Sequence, residues 1–111
     1  MRIKEIQEDK IVFDNGTELS DYHESSCCEH VYADFKNLRD QVGIMNAQFA
    51  NDLEKEIELV KDSGFRLRDC FVPCYDIQNG YYSGNLTLII KYPKGKKVEI
   101  DIGSCTKQDY S

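Results

Sequence analysis

His23, Cys27, Cys28, Glu29 and His30 lie within one short segment, and their types can bind zinc or activate a thiol. Ser26-Cys27-Cys28-Glu29 also fits a capping box, with the Ser26 hydroxyl accepting from the Glu29 amide and the glutamate reaching back. On that reading the two cysteines occupy the first helical positions. Unpaired amides and the helix dipole favour an anion there, and a thiolate is one. A zinc site would draw on His23, Cys27, Cys28 and a contribution from His30. Its spacing is poor, because adjacent helical residues point about 100° apart. Cys70 and Cys74 are further thiols, but in a strand they stand roughly 13 Å apart, so they meet on one metal only if Pro73 breaks the strand.

A nucleophile reading pairs Cys27 or Cys28 with His23 or His30 as base. No cysteine-hydrolase motif surrounds them and no third orienting residue is identifiable, so an enzyme is not expected. The ordinary alternative has Cys28 packed inward and His23 in a local hydrogen bond. A second segment, Gln78-Asn79-Gly80-Tyr81-Tyr82-Ser83-Gly84, suggests recognition. Asn79-Gly80 is a tight-turn signal, and adjacent tyrosines in a strand face opposite ways, leaving one exposed. Asn79, Gly80, Tyr81 and Tyr82 are the candidate binding residues.

The elements that must position these segments are read from periodicity. Ile3 to Ile6, Lys10 to Phe13 and Thr17 to Leu19 form a meander, with Asn15-Gly16 as the second turn. A helix follows Ser26, because Val31, Phe35, Leu38 and Val42 recur at spacings of 4, 3 and 4, and Gly43 ends it. Residues 52–62 fit helix or strand: Asn51 with Glu54 resembles a cap, yet Ile57 and Leu59 alternate with charge. From Phe65 onward the chain is β-rich. Leu86, Leu88, Ile90 and Tyr92 share one face, and Val98, Ile100 and Ile102 answer them across Pro93-Lys94-Gly95. The expected architecture is α+β, a mostly antiparallel sheet of five to seven strands packed against one or two helices. Residues 1–111 form one domain.

Twenty acidic residues against 14 basic ones give a net charge of −6. That opposes direct binding to a nucleic-acid backbone and suits a basic protein partner. The basic group Lys91, Lys94, Lys96 and Lys97 reads as a solvated hairpin tip. No run of about 18 apolar residues predicts a membrane span, and the charged start of the chain lacks a secretory signal, so a cytoplasmic protein is expected. There, an odd number of cysteines (five) reads as reduced thiols.

Three segments carry a resemblance: Phe13-Asp14-Asn15-Gly16, His23 to Tyr32, and Val72 to Ser83. Together they resemble a family of small uncharacterised bacterial and phage proteins in which a Cys-Cys-Glu segment precedes an Asn-Gly-Tyr-Tyr-Ser segment. The resemblance implies no activity. It marks His23, Cys27, Cys28, Glu29, Gly80 and Tyr82 as the positions to suspect, and it implies a phage or mobile-element origin. The leading expectation is a non-enzymatic module that binds a protein partner without a cofactor, for instance a phage-encoded inhibitor of a host protein. One alternative is a zinc- or thiol-dependent protein centred on His23, Cys27 and Cys28. Another is a nucleotide-binding protein using Tyr81, Tyr82 and Arg66 or Arg68.

Overall fold

A computed structural model of the chain describes residues 1–23, 29–78 and 84–109. The meander forms as expected: β1 (Ile3–Ile6), β2 (Lys10–Phe13) and β3 (Glu18–Tyr22) pair antiparallel in sequence order. Between β2 and β3, Gly16 takes a φ of 92° and the Asn15 side chain accepts from the Thr17 amide at 2.9 Å. Glycine is suited to that left-handed conformation because it has no Cβ. The hairpin of β8 (Asn85–Lys91) and β9 (Lys97–Ser104) also forms, and β8 pairs with β3. Leu86, Leu88 and Ile90 are fully buried, as their period of two predicts. The first sheet therefore runs β1-β2-β3-β8-β9.

The second sheet is built around the nine-residue β7 (Cys70–Gln78). Its neighbours are β4 (Glu29–Ala33), β5 (Ile57–Val60), β6 (Gly64–Leu67) and β10 (Thr106–Asp109), in the order β10-β7-β6-β5 with β4 also on β7. All these pairings are antiparallel except β10 with β7, which is parallel. β6 covers the first half of β7 and β10 the second half. β4 lies on the opposite edge, where the Asp34 amide donates to the Pro73 carbonyl at 2.8 Å. The chain passes between sheets after β3, β7 and β9, and both sheets contribute to one apolar cluster that includes Phe13, Leu19, Phe65, Val72 and Leu88.

The α+β expectation is overturned. Among the described residues there is no α-helix, only short 3₁₀ turns at Phe35–Asp40, Ile44–Asn46 and Leu53–Glu56. Glu29, expected at the third helical position, opens β4. Val31 and Ala33 are buried there at period two, and only Phe35 and Leu38 keep the helical register inside a 3₁₀ turn. Val42, the last member of the predicted stripe, is fully exposed at 101%. The turn ends at Gln41, whose side chain bonds to β7 instead of continuing a helix. Residues 52–62 divide between the two readings, a 3₁₀ turn followed by β5.

Candidate functional site

A cleft of about 610 Å³ lies beside β4 and is lined by residues of β3, β4, the β1–β2 corner and Ile77 of β7. β4 creates it through simple alternation. Val31 and Ala33 turn inward, while His30 and Tyr32 turn to the other face of the sheet. The His30 and Tyr32 rings stack at 4.9 Å, and Tyr32 meets Tyr75 of the neighbouring strand at 5.6 Å. The His23 ring, immediately after β3, stands edge-on to His30 at 6.4 Å. An aromatic row thus runs along one wall.

Acidic groups surround this wall. Glu8 and Asp9 come from the β1–β2 corner, Asp21 from β3 and Asp34 from the end of β4. The lysine of the cleft, Lys36, is paired with Glu8 at 3.3 Å. Asp21 joins the two sheets: its Oδ2 accepts from the Ala33 amide at 2.6 Å. Burial raises the Asp21 pKa, and the Asp9 charge adds to this against the opposing Ala33 hydrogen bond and His23. A carboxylate taken partly out of water is held less easily in its charged form.

A second polar cluster sits on the inward face at the end of β7. Glu29 and Gln78 are opposite one another across β4 and β7, and Gln78 Nε2 donates to Glu29 Oε2 at 3.3 Å. The same amide donates to Asp76 Oδ2, which also accepts from the Gly84 amide at 3.1 Å. Asp76 is fully buried, and among the described residues its Oδ1 has no hydrogen-bond partner. A Cβ at Gly84 would run into the Asp76 carboxyl, so glycine permits the close approach. Burial raises the Glu29 pKa, followed by the charge of Asp76 and a hydrogen bond with it. The cluster ties together the residues flanking both sequence motifs: Glu29 follows the Cys-Cys pair, and Gln78 and Gly84 bracket the Asn-Gly-Tyr-Tyr-Ser segment.

Of the predicted site residues, His23 borders the cleft. Cys27, Cys28, Asn79, Gly80, Tyr81 and Tyr82 lie outside the described residues. Among the described residues no group of three or more His, Cys, Asp and Glu side chains is arranged to hold a metal. The expectation of uniformly reduced thiols is overturned, because Cys74 is disulfide-bonded to Cys105 with the α-carbons 5.2 Å apart. This pairing also removes Cys74 as a metal ligand. Cys70 keeps a free thiol whose pKa is raised, chiefly by burial and further by Asp69. Arg66 and Arg68 do not line the cleft; they face Glu58 and Glu56 at 3.6 and 3.7 Å. The four lysines of the β8–β9 turn are exposed, as expected for a hairpin tip.

Sequence reasoning missed Asp21, Tyr32 and Asp34. The signal was present: His30, Tyr32 and Asp34 recur at period two, but a helical reading of the same segment hid it. No family model matches this sequence, nor does any curated protein or solved structure match it at a significant level.

Proposed function

We propose that the protein is a non-enzymatic binding module that takes a basic segment of a partner protein into the cleft beside β4. The observation behind this reading is the charge of the lining: the carboxylates of Glu8, Asp9, Asp21 and Asp34 against Lys36, which Glu8 already occupies. The walls offer aromatic and apolar surface from Tyr32 and Ile77 for the stem of a lysine or arginine. The chain's net charge of −6 steers such a partner toward it. The resemblance to small phage proteins suggests one concrete form, an inhibitor that occupies a basic surface of a host protein in the cytosol. Among the described residues no helix is long and apolar enough to cross a membrane.

A peptide array screened with the purified full chain tests the reading. Lysine- and arginine-containing peptides should be retained, with binding that weakens as salt is raised. The double variant Asp9→Asn, Asp34→Asn should lose most of that retention while melting at the same temperature as the parent. Selection of neutral or acidic peptides, or basic peptides held equally by the double variant, would overturn the proposal.

A further inference from the structure

We propose that the Cys74–Cys105 disulfide is a redox latch that fastens β10 to β7 and releases it on reduction, leaving the two-sheet body folded. Cys105 is the single residue between β9, in the first sheet, and β10, in the second, so the bridge sits where the chain changes sheets. Both cysteines are buried, Cys74 completely and Cys105 to 4% exposure.

β10, just beyond the bridge, is weakly held. It has four residues and among the described residues pairs with β7 alone, from Thr106 opposite Tyr75 to Asp109 opposite Gln78. Thr106, Lys107 and Gln108 are exposed, so this strand buries little apolar surface of its own. The Thr106 hydroxyl adds one contact, donating to the Asp62 carbonyl at 3.3 Å. A four-residue strand whose residues 106–108 are exposed has little besides its backbone ladder to oppose fraying.

What lies before the bridge does not depend on it. β9 pairs with β8 from Lys97 through Ser104, and β7 keeps β6 and β4 as neighbours. Phe65, Leu67, Val72 and Leu88 are fully buried and belong to strands other than β10. The remaining described thiol, Cys70, lies on the same strand as Cys74 and roughly 13 Å from it along an extended chain, too far for an internal exchange.

The chemistry balances with a dithiol reductant. Fraying of β10 gives access to the bridge; one thiolate of the reductant then attacks the Cys105 sulfur, forming a mixed disulfide and expelling the Cys74 thiolate, and its second thiol displaces Cys105. Two electrons and two protons pass to Cys74 and Cys105, and the reductant leaves as its cyclic disulfide. Release of β10 bares the edge of β7 from Tyr75 to Gln78.

Peptide mapping without reduction, followed by hydrogen exchange of the full chain with and without dithiothreitol, tests the latch. The map should recover a Cys74–Cys105 linked peptide. On reduction, amides 105–109 should exchange about tenfold faster or more, while those of 85–104 stay within about twofold. Removal of the reductant and re-oxidation should restore the slow rate. The Cys105→Ser variant should match the reduced protein whether or not dithiothreitol is present. If that variant does not fold, the reversible cycle of the unaltered chain decides alone. A bridge mapped to other cysteines, unchanged exchange at 105–109, or protection lost throughout the chain would each overturn the proposal.

Discussion

Gln41 and Phe71 are joined by two hydrogen bonds that imitate a strand pairing. The Gln41 side-chain amide donates to the Phe71 carbonyl at 2.9 Å, and its oxygen accepts from the Phe71 amide at 3.1 Å. β4 pairs with β7 only from Cys74 onward, so this side chain completes the same edge where no strand continues. Gln41→Ala should leave the Phe71 amide without its acceptor, while the Phe71 carbonyl keeps the Asn37 side-chain amide at 3.1 Å, and cost about 1–3 kcal/mol in urea unfolding. Gln41→Glu keeps the acceptor, loses the donor, and should fall between the two. A Gln41→Ala variant as stable as the parent would show that water replaces the amide at no cost.

This pairing also explains why helical spacing over residues 31–42 does not produce an α-helix there. Phe35 and Leu38 sit at helical spacing and are buried, so the local pattern was real. Val31 shared that spacing through a different cause, the alternation of β4, and Val42 shared it without burial. The deciding information was the polar demand of Phe71, 30 residues away, which periodicity does not report. The β1–β3 meander and the β8–β9 hairpin were legible because turn residues and alternating faces lie in one local stretch. The Cys74–Cys105 bridge was not legible: it joins residues 31 positions apart across a sheet change, and spacing alone cannot choose among five cysteines.

The corrected stripe makes a direct prediction. Leu38 is fully buried, so Leu38→Ala should destabilise the protein by about 2–5 kcal/mol through lost burial and a cavity. Val42→Lys places a charge on a fully exposed position and should change stability by no more than about 0.5 kcal/mol. Under the helical alternative both would be costly. Thermal or urea melts of the two variants separate the readings.

Asp21 gives a pH dependence whose sign follows from its environment. Its folded pKa lies above the ordinary 3.8 because of burial, so the native state holds this proton more tightly than the unfolded chain. Its contribution is therefore most favourable below the unfolded value. Stability falls as pH rises through the window up to the raised value, then levels off. Asp21→Asn keeps an oxygen to accept from the Ala33 amide and removes the titration. Urea unfolding between pH 3.5 and 7 should show a smaller fall with rising pH in the variant than in the parent across that window. Parallel profiles would place the pH dependence elsewhere.

Asp76 separates the value of an acceptor from the cost of a charge. Its Oδ2 is needed, because it accepts from Gln78 Nε2 and from the Gly84 amide. Its Oδ1 is buried and among the described residues has no hydrogen-bond partner, and the carboxyl lies against Glu29. Asp76→Ala removes the acceptor of the Gly84 amide and one of the acceptors of Gln78 Nε2, which keeps Glu29, at a cost of about 1–3 kcal/mol. Asp76→Asn retains an acceptor oxygen and discards the buried charge, so it should be distinctly more stable than the alanine variant at neutral pH. The second readout is Glu29, whose pKa the Asp76 charge helps to raise. A carbon-detected NMR titration should place the Glu29 carboxyl lower in Asp76→Asn than in the parent, and closer to its ordinary 4.5. Because a raised carboxyl loses stability as pH climbs toward its folded value, the same variant should also flatten the stability profile just above pH 4.5. If Asp76→Asn is as damaging as Asp76→Ala and Glu29 does not move, then the charge of Asp76 itself holds this end of β7 together, and the carboxyl contact is not what raises Glu29.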